Sequence, residues 1–422
     1  MEEPAAMKQL KILMFAPSCY PPANPESFVN ANLAAVMLEA GWQVDVVTSS
    51  DSAYQWYPES TSLWKNVALH CHAAAEPRRS LMSKAISLVQ CLSGSGQRTG
   101  GYTWAVPAAK RGLKLVAAGT YDLLLSRALP PEAHLAAYIV ARKTGIPWIA
   151  NWNDPTPYYM FPEPYVNGNN GRRQMMKFWE RRFFQAVADK AAWHTFPCTR
   201  LQSYVFNYLP GDIAAKSSII PHVAIKRYAK KNGIQSRFTL LYAGSLRFPR
   251  DPKPLLQGIK MFCDRLAPDE KISVRFITDC ENRVAETIRS YFLEGIVQLE
   301  PMRPYDEMMR CMTSADVLVV LEADVKEGIF LPSKFVDYVQ TGRPILAVSP
   351  KVGTLADIIS TYGGGVAADI TMPESIASSI GMLYEYWRSG VLDEHFSSER
   401  LFCMFDRDKV LGAYLDIFEK IH

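Results

Sequence analysis

Lys334 and Asp337 stand three residues apart in FLPSKFVDYVQTGRPILAVSP, Phe330 to Pro350, so a helix over this segment carries a cation and a carboxylate on one stripe. Pro332 and Ser333 read as the helix start, with Ser333 capping unpaired backbone N–H groups. Gly342 reads as the C′ residue, Pro344 forbids continuation, and Ile345 to Val348 reads as a short buried strand. Phe335, Val336 and Val339 form the apolar side of this short helix. A helix N-terminus with partial positive charge and a lysine in its first turn suits a diphosphate. Asp337, one turn deeper, is placed to accept hydrogen bonds from ribose hydroxyls.

A second cationic segment, LYAGSLRFPRDPKPL from Leu241 to Leu255, places Arg247, Arg250 and Lys253 just after a strand that ends at Gly244 and Ser245. That is phosphate-binding architecture at a strand-to-helix turn. Nearer the N-terminus, YPPANPES presents Asn24, Glu26 and Ser27, and IANWNDPTP presents Asn153 and Asp154 on a proline-stiffened loop. Asn153 cannot act as a general base, so such a role falls to Asp154, although an Asx turn before Pro155 explains that residue equally well. Ser126 and Arg127 end another strand, in LLLSRALPPEAH. His70 and His72 alternate on one face of an expected strand, Val67 to His72, and no third metal ligand stands near them.

Alternating strand and helix patterns position these groups. Lys11 to Phe15, Phe28 to Ala40 and Gln43 to Thr48 read as a βαβ unit opening a parallel sheet. Later strands are expected at Asp122 to Ser126, Trp148 to Asn151, Trp193 to Pro197 and Ser217 to Val223, with helices at Glu132 to Thr144 and Arg173 to Ala188. The same grammar restarts at Phe238 to Gly244, after a polar segment, KRYAKKNGIQS, that reads as a linker. Strands then follow at Val274 to Ile277, Ile296 to Leu299, Val317 to Leu321 and Pro344 to Val348. The expectation is an α/β chain of two Rossmann-like, doubly wound domains, 1–223 and 224–403. Ligands of such sheets sit at the carboxyl ends of the strands, so two sheets facing each other make a cleft.

A chain of 422 residues with 48% hydrophobic residues is long enough for two or three cores. Its 46 Lys and Arg against 42 Asp and Glu give a net charge of +4, which argues against nucleic acid as a partner and makes any basic surface local. Eight scattered cysteines with no C-x-x-C pair, and no signal-like apolar run, fit a reducing cytoplasm. No uninterrupted apolar stretch is long enough to span a bilayer. Arg172, Arg173, Lys177, Arg181 and Arg182, interleaved with Phe178, Trp179, Phe183 and Phe184, allow peripheral contact with an anionic membrane surface, or else a core helix with its arginines in solvent.

The P-S-K-x-x-D-Y-x-x-x-G-R-P-I run from Pro332 to Ile345 resembles the retaining nucleotide-sugar glycosyltransferases of the GT-B fold, of the family 4 or group 1 type. The resemblance extends over most of the chain and is strongest over Leu241 to Leu255 and Asp316 to Val348. It implies transfer of a sugar from a nucleoside diphosphate sugar, uridine-linked, to a hydroxyl of a saccharide or a polyprenyl-linked saccharide, with retention, without a metal and without a cofactor. Arg250, Lys253 and Lys334 would stabilise the departing diphosphate; Ser245 stands where the family has an arginine. Gly244, Ser245, Ser333 and Asp337 would line the nucleotide, with Met302 and Arg303 near the base. The family's acidic pair, separated by seven residues, is broken, since Ile329 occupies its first position; Glu327 would take that role, with the amides of Gly328 and Ile329 approaching the sugar. Asn24, Glu26, Asn153 and Arg127 would lie on the acceptor side. The last helix, about 404–422, would return to the first domain. A GT-B nucleotide-sugar epimerase and a nonenzymatic nucleotide-sugar-binding subunit of a partner transferase stay open as alternatives.

Overall fold

The computed structural model describes residues 8–20, 24–49, 64–74, 85, 101–156, 160–166, 181–209, 211, 213–230, 237–267, 270, 272–279 and 281–422. The chain divides into two compact units, Met1–Val223 with Arg407–His422, and Ala224–Asp406. Each is a parallel α/β sheet with interleaved helices, the architecture of a Rossmann-like doubly wound domain.

The first unit carries β1 (Lys11–Phe15), β2 (Gln43–Ser49), β3 (Cys71–Ala74), β4 (Leu123–Ala128), β5 (Trp148–Trp152), β6 (Trp193–Phe196) and β7 (Ser217–Ile219). Their order across the sheet is β3-β2-β1-β4-β5-β6-β7, all parallel. β1, β4 and β5 are buried almost throughout, as strands of a parallel sheet with interleaved helices are. The final helix, Arg407–Ile421, belongs to this unit and buries Val410, Leu411, Tyr414, Ile417 and Phe418.

The second unit carries β8 (Phe238–Ala243), β9 (Ile272–Ile277), β10 (Val297–Glu300), β11 (Val317–Leu321), β12 (Ile345–Ser349) and β13 (Gly365–Asp369), in the order β10-β9-β8-β11-β12-β13. Phe238, Leu240, Tyr242, Phe276 and Val319 meet Leu256, Ile259 and Ile380 in its core. The helix Ser333–Thr341 buries Phe335, Val336, Tyr338 and Val339, and ends where Gly342 turns left-handed at φ 70°.

Some sequence expectations need correction. Residues expected as a strand from Val67 form a short helix, Lys65–Leu69, anchored by buried Trp64 and Val67, and β3 begins only at Cys71. β7 ends at Ile219 rather than Val223. Of the basic aromatic helix, Arg172, Arg173, Lys177, Phe178 and Trp179 lie outside the described residues; in its described part Arg181 and Arg182 are exposed while Phe183 and Phe184 are buried. Part of the expected linker, 231–236, also lies outside them. Among the described residues no helix is long and apolar enough to cross a membrane.

Candidate functional site

Strand order in the second unit reverses between β8 and β11, and ligands of open parallel sheets bind beyond the carboxyl ends of strands at such a reversal. Gly244 and Ser245 follow β8 there, Glu322 follows β11, and the helix bearing Lys334 and Asp337 starts close by in sequence. Gly244 has φ 129°, a conformation side chains rarely adopt, and a Cβ on it would lie 2.7 Å from Lys334 Nζ. The glycine therefore makes room for the lysine's ammonium. Lys334 Nζ donates to Tyr242 Oη at 2.7 Å and lies 4.3 Å from the centre of the Tyr242 ring. Tyr242 in turn donates to the Ser245 carbonyl at 2.9 Å, tying the lysine to the turn after β8.

Burial, and then the neighbouring charge of Arg250, push the Lys334 ammonium well below its ordinary range, against the pull of Asp279 and Asp337. Arg250 forms no hydrogen bond or ion pair through its guanidinium among the described residues, whereas Arg247 pairs with Asp279 at 3.5 Å. Two cations are thus placed within each other's field, and neither forms an ion pair among the described residues. Lys253 is exposed at the first position of the helix Lys253–Cys263, and nothing in the geometry joins it to Lys334.

Asp337 accepts from Tyr305 Oη at 2.7 Å and from Gln340 Nε2 at 3.3 Å, both on Oδ1. Burial raises its carboxyl to about 7, against the Tyr305 hydrogen bond and the Lys334 charge. Ser333 does not cap its helix: Pro332 is the N-cap residue, no side chain bonds the first turn, and Ser333 is the first helical residue. The Arg303 guanidinium is held by Glu300 at 2.7 Å and Glu307 at 2.8 Å, and Glu300 is also gripped by Arg275. Met302 is half-buried beside it.

Glu327 is exposed, and Ile329 is buried. Gly328 cannot offer its amide to a ligand as expected, because that N–H donates to the Val352 carbonyl at 3.0 Å and the Gly328 carbonyl accepts from Thr354 at 2.7 Å. The carboxylate that the fold buries at the strand reversal is Glu322, 3% exposed and held at about 7 by burial, with the Arg250 charge opposing. Sequence reasoning missed Glu322 and the two tyrosines, Tyr242 and Tyr305. An acidic residue directly after the wholly apolar strand VLVVL was the available signal for Glu322.

In the first unit the strand order reverses between β1 and β4, and a polar network lies there. Glu26 accepts from Asn153 Nδ2 at 2.6 Å and Asn30 Nδ2 at 3.0 Å, while Arg127 Nε donates to Asn30 Oδ1 at 2.7 Å. Burial raises the Glu26 carboxyl, opposed first by the Arg127 charge and then by the Asn153 and Asn30 hydrogen bonds. Arg127 is 4% exposed and also reaches Tyr414 Oη at 3.5 Å, so it braces the network from within. Asn153 is buried, with Asp154 half-buried beside it. Asn24 is spent on structure: its Oδ1 accepts the Ser27 N–H at 2.9 Å, and Ser27 Oγ accepts the Asn24 N–H at 2.9 Å, a capping box that starts the helix Pro25–Glu39.

No protein-family model and no curated protein matches the sequence. Solved structures do match in fold. HepE of Anabaena in complex with UDP and glucose superposes with a TM-score of 0.68 at 13% identity, over 98% of this chain and 100% of that one. Sucrose-phosphate synthase of Thermosynechococcus elongatus gives 0.66 at 12% identity, over 98% and 99%. A glycosyltransferase of Rickettsia africae gives 0.63 at 10% identity, over 98% of each chain. The fold is therefore the GT-B fold, shared with glycosyltransferases.

Proposed function

We propose that this protein is a retaining hexosyltransferase that moves a sugar from a UDP-sugar to a hydroxyl of a glycan or glycolipid, as in polysaccharide assembly. The observation that carries the reading is the Lys334 ammonium seated against the Gly244 turn at the strand reversal, under the charge of Arg250, with neither cation in an ion pair among the described residues. Like charges so placed repel, and an anion between them relieves the cost. A diphosphate meets that requirement, and the bound UDP of the HepE structure supports uridine as the base.

As the glycosidic bond breaks, negative charge grows on the departing diphosphate. Lys334 and Arg250 stabilise that charge more than they stabilise the intact donor, and the start of the helix Ser333–Thr341 adds its partial positive charge. Asp337, held by Tyr305, orients the ribose through its second carboxylate oxygen. Glu26 and Asn153, braced by Arg127 and Asn30, serve the acceptor, and Asp154 borders them. This chemistry asks nothing of a metal, since the cations belong to the protein. A lipid-linked acceptor would bring the enzyme to a membrane surface from the cytoplasm.

The test is a melting-temperature panel of uridine, guanosine, adenosine and thymidine diphosphates, repeated on Lys334→Ala and Asp337→Ala. Stabilisation by the uridine nucleotide, lost in both variants, is expected. A wild type that no nucleoside diphosphate stabilises at millimolar concentration overturns the reading.

A further inference from the structure

Gln340 has no place in the mechanism just given, yet it is 1% exposed and binds together two pieces of the second unit that lie 115 residues apart in sequence. The chain enters that unit at Ala224 and runs through residues 224–230 without regular secondary structure. The amides of such a stretch must find acceptors outside it wherever they are buried. Ala224 N–H donates to the Phe405 carbonyl at 2.8 Å. The following amides turn to Gln340: its Oε1 accepts the Ile225 N–H at 2.8 Å and the Lys226 N–H at 3.2 Å, and its carbonyl accepts the Tyr228 N–H at 2.9 Å.

Two backbone donors on one side-chain oxygen fix which way the amide faces. Turned over, its NH2 would meet two N–H groups and its oxygen would meet a carboxylate. The Nε2 end is therefore committed to Asp337 Oδ1, which it reaches at 3.3 Å from one turn along the same helix. Tyr305 Oη donates to that same oxygen at 2.7 Å, whereas Oδ2 accepts no hydrogen bond among the described residues. Two donors on Oδ1 set the plane of the half-buried carboxylate and leave Oδ2 to a ligand.

Resting on the nucleotide-sugar reading, we propose that Gln340 is a positioning residue for ribose, which passes the fixed backbone of residues 225–228 to the Asp337 carboxylate and so sets how strongly the ribose hydroxyls are recognised. A sugar hydroxyl gains from Oδ2 only where that oxygen is held still. Without Gln340 one bond remains on Oδ1, the carboxylate turns about its Cβ–Cγ bond, and the ribose contact loosens while Lys334 and Arg250 keep the diphosphate. Gln340 acts through Asp337 and does not touch the nucleotide.

Isothermal titration calorimetry of the full chain with UDP and with 2′,3′-dideoxy-UDP tests this on wild type and Gln340→Met, at pH 8.5, where a carboxyl held at about 7 is ionised. The readout is the ratio of the two affinities. A merely structural role would weaken both ligands alike and leave the ratio where it was. In the wild type UDP should bind more tightly than the dideoxy nucleotide, and in the variant that ratio should fall about fivefold, the worth of one ordinary hydrogen bond. A ratio unchanged by Gln340→Met overturns the inference, as does a wild type that binds the two nucleotides equally; both leave nucleotide binding intact. A wild type that does not bind UDP overturns the functional reading and this inference with it. If Gln340→Met does not fold, Gln340→Glu replaces it, since glutamate keeps an acceptor for the Ile225 and Lys226 amides and sets a carboxylate against Asp337: the ratio should fall, and an unchanged ratio overturns the proposal.

Discussion

Replacing Glu322 with glutamine should make the unliganded protein more stable at pH 8 and leave it unchanged, relative to its own offset, at pH 5. The folded carboxyl is held at about 7 against an ordinary 4.5, so the folded state keeps a proton that the unfolded chain gives up between those values. Its stabilising contribution is full below pH 4.5, declines as pH rises, and is gone above about 7. At 1.36 kcal/mol per pH unit the pH-dependent part amounts to about 3 kcal/mol. Glutamine does not titrate, so the variant escapes that decline. For a unit of this size, 1 kcal/mol moves the melting temperature by about 2–4 °C, which predicts a relative gain of roughly 6–12 °C between the two pH values. Differential scanning calorimetry on both proteins at pH 5 and pH 8 measures it. A stability difference that is the same at both pH values would refute the reasoning, since it would mean that Glu322 ionises like a solvated glutamate.

Lys334→Met removes a charge-assisted contact worth about 1.5–3 kcal/mol and should weaken UDP about 10- to 100-fold by calorimetry; an unchanged Kd would remove Lys334 from the anion site. Tyr305→Phe deletes the 2.7 Å bond that helps Asp337 stay ionised, so the Asp337 carboxyl should rise further above about 7. The pH at which UDP affinity gains from Asp337 should then move upward in titrations of the variant, and a fixed midpoint would contradict the coupling. Gly244→Ala puts a side chain at φ 129° and 2.7 Å from Lys334 Nζ, so thermal stability should fall by about 1–3 kcal/mol and UDP affinity should fall with it.

How far the sequence reveals this protein depends on how local each signal is. The strand and helix grammar was legible because apolar runs such as VLVVL and punctuation such as Gly342 and Pro344 act over a few residues. Lys334 and Asp337 were legible for the same reason, since helical spacing alone puts them on one stripe. A serine behind a proline carries the capping signature, but at Ser333 the preceding proline itself takes the cap position. Glu322 and Tyr242 stayed hidden because their importance comes from strand order, β8 and β11 being adjacent in the sheet but far apart in the chain, and Tyr305 because it reaches Asp337 from a helix 32 residues away in sequence. The amide of Gly328 could not be judged from sequence either, because its partner Val352 lies on another loop. Asn24 stands in a polar loop that suggests a ligand contact, yet it and Ser27 satisfy each other's backbone.

The most direct test of the central claim is UDP release from UDP-sugars by the purified chain, measured with and without saccharide and polyprenyl-linked saccharide acceptors, with Lys334→Met and Asp337→Asn as controls. The account predicts UDP formation that depends on an acceptor, a product that keeps the donor's anomeric configuration, and loss of both in the two variants. UDP release that ignores the acceptor, or turnover that survives both substitutions, would contradict it.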